Sequence, residues 1–211
     1  IPVTALSIYS QCPIRFRYQY VDGHPGLSEG PAIAREIGTL THLALEFGIA
    51  ELGDLRRLSK ESPDGHLIQA LQLAERYRSQ PAYAAVRDVP VKNEVPVVFS
   101  RGGLRLSGLV DVAGPDFVLD FKTDSEIEPN EHRFQIWAYT RGLSVEKGYL
   151  AYLRHDLLHE FSSEELAKTD TDADDLIAGI QAADYEPTPS LKTCSRCPFN
   201  TICPAPVVRT S

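Results

Sequence analysis

The segment from residue 92 to 124 changes the hydrophobic pattern of this chain from a helical to an extended period. Its sequence, "KNEVPVVFSRGGLRLSGLVDVAGPDFVLDFKTD", alternates apolar and polar residues, is rich in Val, Leu and Phe, and contains turn signals at Gly102-Gly103 and Gly114-Pro115. This pattern predicts three antiparallel strands in a meander. The fold must therefore be built around a small sheet.

The segments before the meander keep a helical spacing. Apolar residues recur every three or four positions from Ala32 to Leu52 and from Asp64 to Gln80, which predicts two amphipathic helices. The segment from Thr4 to Tyr20 predicts one or two short helical turns, with Ser7 as a cap and Pro13 opening the second turn.

Helical and extended patterns alternate again after the meander. "PNEHRFQIWAYTRGL" predicts a helix, "EKGYLAYLRHDLLHEF" predicts two strands joined near His155-Asp156, and a last helix is expected at about Asp172 to Ala183. This order of elements predicts an α/β fold with a mixed central sheet flanked by helices. We expect one domain over residues 1–211, with a helical N-terminal part at 4–88, a core at 91–161 and a cysteine-rich tail at 190–204.

Composition limits the class of protein. A chain of 211 residues with 43% hydrophobic residues can bury one substantial core. Its apolar runs are far shorter than the roughly 20 residues that span a bilayer, so we expect a soluble, cytoplasmic protein without a membrane partner. The sequence begins with Ile1 and contains no Met, which indicates a trimmed domain of something longer.

The net charge of −8 is unfavourable for a nucleic-acid partner, but the excess of acid is local. Residues 160–186 contain nine acidic residues and one Lys, so the remainder of the chain is neutral. An acidic helical face of this kind is typical of a solvated surface.

Two acidic residues and a lysine occupy apolar strands. Asp111 ends one strand and Asp120 lies nine residues later in the next, so pairing as a hairpin would bring the two carboxylates to one end of the sheet. Buried carboxylates repel each other unless a cation offsets them, and Mg²⁺ or Mn²⁺ is the natural choice. Lys122 shares the face of Asp120 and could orient or deprotonate a water. The alternative is an ordinary ion pair between Asp120 and Lys122.

Three ordered motifs resemble those of a known family. "GLVDVAGPDFVLDFKTD" is similar to the core of the PD-(D/E)xK nuclease superfamily, in its RecB-like branch, whose members carry a G-x-x-D strand followed by a D-x-K strand. "GTLTHLALEFG" resembles the G-x-x-x-H of that branch, in Gly38 and His42, and "QIWAY" resembles its Q-x-x-x-Y, in Gln135 and Tyr139. Together the motifs cover the chain from about residue 4 to 204.

The resemblance implies a metal site. By likeness to these nucleases, His42, Asp111 and Asp120 would bind Mg²⁺ or Mn²⁺, with the backbone carbonyl of Phe121 as a further oxygen ligand. Glu94 lies where the family often has an acid on the preceding strand, and a direct role for it is the less favoured interpretation. Taken singly, His42 would be a satisfied core or surface histidine.

The resemblance also assigns the remaining site residues. Lys122 would be the catalytic lysine, and Gln135 and Tyr139, one helical turn apart, would contact the nucleic acid or steady the lysine. Tyr139 and Trp137 as plain core aromatics is the competing interpretation.

Four cysteines form a second group, and three of them, Cys194, Cys197 and Cys203, read C-x2-C-x5-C. With Cys12 they supply four thiolates, a complete set for an iron-sulfur cluster or for Zn²⁺, and the spacing leaves both open. Disulfides are unexpected in a cytoplasmic chain, and four unrelated buried cysteines is the other interpretation. One cysteine before the core and three after it resembles the iron-sulfur staple of AddB-like nucleases, eukaryotic helicase-nucleases and CRISPR-adaptation nucleases. That resemblance implies a [4Fe-4S] cluster with a structural role.

Basic and aromatic residues interleave beside the first cysteine, at Arg15, Phe16, Arg17, Tyr18 and Tyr20. This is the chemistry of a path for single-stranded nucleic acid, with stacking and phosphate contacts. The alternative is that the aromatic rings pack into the core and the arginines are solvated.

The sequence as a whole predicts a metal-dependent deoxyribonuclease that hydrolyses DNA phosphodiester bonds. We expect an exonuclease acting on strands or ends in DNA repair or recombination, as part of a helicase-nuclease. One alternative is a catalytically silent nuclease fold that serves as a DNA-binding or scaffolding module. Another is a zinc-stapled interaction domain whose acidic stretch binds a basic partner.

Overall fold

A five-stranded mixed sheet forms the centre of the computed structural model, which describes residues 1–27 and 32–207. The strands follow one another across the sheet in chain order, and all neighbours are antiparallel except β3 and β4. The α/β class and the mixed sheet predicted from the sequence are confirmed. The strands are β1 Lys92–Arg101, β2 Leu104–Ala113, β3 Phe117–Lys122, β4 Lys147–Tyr152 and β5 Leu157–Phe161.

Helices cover both faces of the sheet. None of those in the described ranges is long and apolar enough to cross a membrane. A π-helical turn at Arg17–Val21 follows α2, and a 3-10 turn at Pro81–Tyr83 precedes α6. The α-helices are α1 Thr4–Gln11, α2 Pro13–Phe16, α3 Ala32–Glu46, α4 Leu52–Leu58, α5 Asp64–Ser79, α6 Ala84–Arg87, α7 Pro129–Leu143, α8 Ser163–Gln181 and α9 Leu191–Ser195.

The predicted meander is confirmed as β1, β2 and β3. Arg101 pairs with Leu104 across a two-residue turn at Gly102 and Gly103, whose φ angles of 56° and 79° suit glycine and match the twist of a tight hairpin. The antiparallel β2–β3 ladder is much shorter than the β1–β2 ladder. The N-terminal residues bond to a part of β2 that β3 does not pair with. There the Val3 amide donates to the Ser107 carbonyl at 2.8 Å.

The parallel pair β3–β4 requires a crossover connection, and α7 provides it. Helix α7 packs on one face of the sheet together with α1 and α8, and the fully buried Trp137 and Phe134 belong to this core. The opposite face carries α3, α5 and α6, whose side chains pack against the other side of the same strands. The sheet is therefore the middle layer of three.

Two predicted helix boundaries are wrong. The helix expected from Ala32 to Leu52 ends at Glu46, because the chain turns at Gly48 (φ 64°), and a separate helix α4 follows. Ser7 lies inside α1 and does not cap a helix, whereas Pro13 opens α2 as predicted.

The last long helix starts earlier than predicted, at Ser163 instead of Asp172. Ser162 and Glu165 form a capping box, in which each side chain accepts a hydrogen bond from the backbone amide of the other residue. The stretch between Glu165 and the predicted start, "LAKTDT", begins with good helix formers but contains Thr169, Asp170 and Thr171, which have lower helix propensity. The capping box marks the true start of the helix.

The acidic face of α8 is only partly a solvated surface. Asp170 accepts hydrogen bonds from Trp137 Nε1 at 2.8 Å and from Arg141 Nε at 3.0 Å, and Asp174 accepts one from Arg101 Nε at 2.7 Å. Most of these acids are exposed, as a solvated surface predicts, but three of the carboxylates also pair with arginines of α7 and β1. These ion pairs fasten α8 to the rest of the core.

Close packing between α7 and β4 gives a test of the fold. Gly148 is buried, and a Cβ there would overlap Ile136 Cγ2, so Gly148→Ala should lower the free energy of unfolding by about 1–3 kcal/mol. The control, Gly53→Ala, adds its methyl to an exposed helical position with open space and should raise that free energy by about 0.5–1 kcal/mol. Urea denaturation measures both, and equal stability of the two variants would contradict this packing.

Candidate active site

The two strand carboxylates lie at one end of the sheet. The β2–β3 ladder ends at the pair Val112 and Leu119. Asp111 and Asp120 are the neighbours of this pair on the side away from the turn. Asp111 Oδ2 accepts a hydrogen bond from the Phe121 amide at 2.7 Å. Burial raises the pKa of Asp111, and the negative charge of Asp120 raises it further. The hairpin thus places the two acids close enough to interact.

Asp120 lies between an ammonium group and an amide. Its Oδ1 accepts a hydrogen bond from Gln135 Nε2 at 2.7 Å, and its Oδ2 lies 2.7 Å from Lys122 Nζ. Lys122 in turn donates to Gln135 Oε1 at 3.1 Å. Asp120 is only 3% exposed, and its Oδ2 receives no well-directed hydrogen bond from the described residues. The ion pair of the alternative interpretation exists, but it lies inside a buried network.

Tyr139 holds Gln135 from the next turn of α7. Its hydroxyl donates to the Leu109 carbonyl at 2.7 Å and accepts from Gln135 Nε2 at 3.1 Å. Gly108 makes room for the ring, because a Cβ there would lie 2.7 Å from Tyr139 Cε1. Burial raises the pKa of Tyr139, with the charge of Asp120 as a second cause, so the hydroxyl stays neutral. This geometry favours a positioning role for Tyr139 over contact with a nucleic acid.

His42 approaches the carboxylates from α3, on the opposite face of the sheet. Its Nδ1 lies 3.2 Å from Asp111 Oδ1, and its ring packs edge-on against Phe121. Burial lowers the pKa of His42, but its hydrogen bond to Asp111 and the charge there bring the pKa above its ordinary value. One turn earlier, a Cβ at Gly38 would lie 3.0 Å from Thr123 Oγ1. The glycine therefore lets α3 approach the end of β3.

Glu94 faces the same region from β1. With His42, Glu46, Asp111 and Phe121 it borders a cavity of about 140 Å³. Burial raises the pKa of Glu94, and the charge of Asp111 adds to the effect. The location agrees with an auxiliary acid beside the site, while its direct role stays a prediction.

The oxygen and nitrogen groups at the end of the sheet have the chemistry of a metal site. Residues 1–27 and 32–207 contain no group of three or more His, Cys, Asp or Glu side chains arranged to hold a metal ion. Protein groups already donate a hydrogen bond to one oxygen of each carboxylate. The chemistry nevertheless fits a hard cation, because two buried carboxylates adjoin an imidazole. Asp120 Oδ2 also accepts no well-directed hydrogen bond from the described residues. The ligand set of His42, Asp111, Asp120 and the Phe121 carbonyl stays a prediction.

The four cysteines come together at the C-terminal end of α1. All are free thiols, and all line one small apolar cavity. After α8 the chain returns along α1, where Tyr9 donates to the Asp184 carbonyl at 2.6 Å and Thr188 donates to the Gln11 carbonyl at 3.0 Å. This return brings the C-terminal cysteines to Cys12, across more than 180 residues of sequence.

The aromatic residues beside Cys12 pack within the protein. Phe16 is buried against Tyr9, Tyr20 and Tyr185, and Tyr18 packs on Phe199 near the cysteines. The packing alternative is therefore favoured for Phe16, whereas Tyr18 and Tyr20 are only half-buried and the path for single-stranded nucleic acid stays a prediction.

Sequence interpretation did not single out a group of basic residues around the first turn of α7. The fold collects them from separate segments, so no local pattern marks them. They are Arg35, Arg133, Lys192 and Arg196.

A comparison with protein families identifies the superfamily of the chain. A family model of the PD-(D/E)XK nuclease superfamily matches residues 1–204. The chain belongs to the PD-(D/E)XK nuclease superfamily. The carboxylates and the lysine at the end of the sheet are the candidate active site of this nuclease-type fold, and their assignment to the superfamily motifs stays a prediction.

Solved structures share the fold of this superfamily member. A protein named SSO0001 superposes with a TM-score of 0.53 at 20% identity, over 99% of this chain and 87% of that one. A protein from Eubacterium rectale, named "Putative exonuclease", superposes with a TM-score of 0.66 at 10% identity, over 98% of this chain and 90% of that one. Both likenesses concern the fold alone. No curated protein sequence matches the chain.

The network around Gln135 predicts its contribution to stability. Gln135→Leu would leave the buried Asp120 and Lys122 without their shared amide, and should lower the free energy of unfolding by about 1–3 kcal/mol. Gln69→Leu makes the same change at an exposed helical position and should change it by less than about 0.5 kcal/mol. Chemical denaturation compares the two, and a fully stable Gln135→Leu protein would argue against the network.

Proposed function

We propose that this chain is a metal-dependent deoxyribonuclease that hydrolyses phosphodiester bonds, acting as an exonuclease on DNA strands or ends. One observation carries the proposal. In a member of the PD-(D/E)XK nuclease superfamily, a buried Asp120 lies 2.7 Å from Lys122, beside a second carboxylate that bonds to a histidine.

The chain's own residues supply the metal ligands in this proposal. His42, Asp111, Asp120 and the carbonyl of Phe121 would hold Mg²⁺ or Mn²⁺. A divalent ion bound there would lower the pKa of a water and offset the charge of the phosphate. Support comes from the electrostatics: two interacting buried carboxylates have only partial compensation from protein donors, and a cation would complete it.

Lys122 is assigned to the reacting phosphate. Its side chain is 14% exposed, so the ammonium can reach a substrate while Asp120 and Gln135 hold its position. A fixed ammonium donates hydrogen bonds to the phosphate oxygens that gain charge in the transition state, or orients the attacking water. Gln135 and Tyr139 position this group through the hydrogen bonds that join α7 to β2 and β3.

The resemblance to RecB-like and helicase-associated nucleases supports a biological setting. We place the activity in the processing of DNA ends during repair or recombination, beside a helicase on the same or another chain. The basic charge that a nucleic acid needs would then come partly from that partner, since the chain has a net charge of −8.

Cleavage assays test the catalytic assignment. With Mg²⁺ or Mn²⁺ and end-labelled DNA, Lys122→Ala and Asp120→Ala should each lose roughly 10²–10³-fold or more of the rate, because each removes a group fixed at the reacting centre. The exposed pair Lys147 and Asp116, whose charged atoms lie 2.8 Å apart, offers matched controls, so Lys147→Ala and Asp116→Ala should cleave like the parent.

Two further outcomes bear on the proposal. Circular single-stranded DNA should resist an exonuclease while linear DNA is degraded. DNA binding without cleavage in either metal would refute the enzyme and favour a silent nuclease fold that acts as a scaffold.

We also propose that Cys12, Cys194, Cys197 and Cys203 hold a [4Fe-4S] cluster that ties the two ends of the chain together, with Zn²⁺ as the alternative occupant. Four free thiols around one apolar cavity support a soft-metal site. Burial raises the pKa of the Cys197 thiol, so a bound metal ion would favour its thiolate form. The proposed role is structural.

Spectroscopy after anaerobic purification tests the cluster. The parent should be brown with about four irons per chain, and Cys194→Ser should lose most of the iron. By analogy with the loss of a covalent cross-link worth about 2–4 kcal/mol, its thermal midpoint should fall by roughly 5–10 °C. Ser195→Ala, at the next residue, should keep colour and stability. A colourless parent with stoichiometric zinc would refute the cluster and favour Zn²⁺.

A further inference from the structure

A large cleft opens beside the candidate active site. Its volume is about 1070 Å³, and it lies between α1, the first turn of α3, the first two turns of α7, and α9. Gln135 lines it and also bonds to both Lys122 and Asp120. The cleft therefore adjoins Lys122 and Asp120 through Gln135, although neither residue lines it.

The charge of this cleft is opposite to that of the whole chain. Among the described residues that line it, five are Lys or Arg and two are Glu, whereas the chain carries −8. A concave surface of one sign concentrates ligands of the other sign, and phosphates are the anions that Arg and Lys bind in nucleic acids. The basic residues are Arg15, Arg35, Arg133, Lys192 and Arg196.

Carboxylates near the cleft do not close it to anions. Lys192 is paired with both Glu128 and Glu131, Arg196 lies 3.7 Å from Glu126, and the half-buried Arg133 is paired with Asp172. More than half of the Lys192 and Arg196 side chains is exposed. Exposed ion pairs of this kind are worth only about 0–1 kcal/mol. A phosphate group entering the cleft can therefore replace these carboxylates as a partner.

Size and lining favour one strand over a duplex. The volume is close to the upper end of the roughly 300–1,000 Å³ typical of ligand pockets, which suits a few nucleotides of one chain and not two paired strands. No Phe, Tyr or Trp occurs among its described lining residues, while Ser7, Ser10 and Thr193 contribute hydroxyl groups. Binding would therefore depend on phosphates and tolerate any base sequence.

We infer that this cleft binds a short stretch of single-stranded DNA through its phosphates and guides it to Lys122, an inference that rests on the proposed nuclease function. The strand runs between the basic residues of α3 and α7 on one side and those of α9 and its following residue on the other. Exonuclease action on strands or ends follows naturally, because a cleft of this size admits a free single strand.

Binding without added divalent metal tests the inference separately from catalysis. Fluorescence anisotropy would follow a labelled 12-nucleotide oligo(dT), and a duplex of equal length, between 50 and 300 mM NaCl. Each phosphate contact contributes about −0.7 to the slope of log K against log salt for a single strand, so three to five contacts predict a slope of roughly −2 to −4.

Paired charge-removal variants locate the binding surface. Arg35→Gln combined with Arg196→Gln changes two exposed cleft residues, and should weaken oligo(dT) binding roughly tenfold at 100 mM NaCl and make the slope shallower by about 1.4. The control combines Arg57→Gln with Lys147→Gln, which removes the same charge from exposed positions outside the cleft, and should bind like the parent. Thermal unfolding midpoints should be equal in all three proteins.

The outcomes separate this inference from the proposed function. Cleft-dependent binding by a parent that never cleaves would refute the enzyme and leave the cleft as a single-strand site. Cleavage by a parent whose cleft variant binds with unchanged affinity and salt slope would overturn the cleft and leave the enzyme. Duplex binding as tight as oligo(dT) binding would also overturn the single-strand inference.

Discussion

The buried contact between Asp120 and Lys122 is the interaction on which the candidate site depends. Removing a carboxylate and an ammonium from water costs several kcal/mol for each ion, and only good geometry with further hydrogen bonds offsets that cost. Gln135 supplies these bonds to both partners, and Tyr139 holds Gln135 in place. The site is thus stable only while α7 keeps its register against β2 and β3.

That requirement explains much of the surrounding architecture. Gly108 lets the Tyr139 ring approach β2, and Gly148 lets α7 lie close to β4. On the other side of α7, Asp170 pairs with Arg141 and Trp137, which fixes α8 against the helix. The acidic charge that dominates the net charge therefore has a structural role in part, and Asp172 pairs with Arg133 at the edge of the basic cleft.

Local pattern determined the sheet and the chemistry of its acids. The alternation and the Gly102-Gly103 turn predict the meander, because strand period and turn geometry act over a few residues. The same two-residue period places Asp120 and Lys122 on one face, and the helical period places Gln135 and Tyr139 on one face. The helix boundaries near Gly48 and Ser162 escaped this reasoning, since a capping box and a left-handed turn outweighed apolar spacing there.

Tertiary packing alone decided the contacts between distant segments. His42 and Asp111 meet across 69 residues, and the four cysteines share a cavity although Cys12 lies far from the others in sequence. The basic cleft draws its residues from helices that are separate in the chain. Periodicity fixes which side of an element a residue occupies, but the docking of elements depends on summed burial across the core. The sequence therefore determined the local chemistry, and packing determined which groups it could act with.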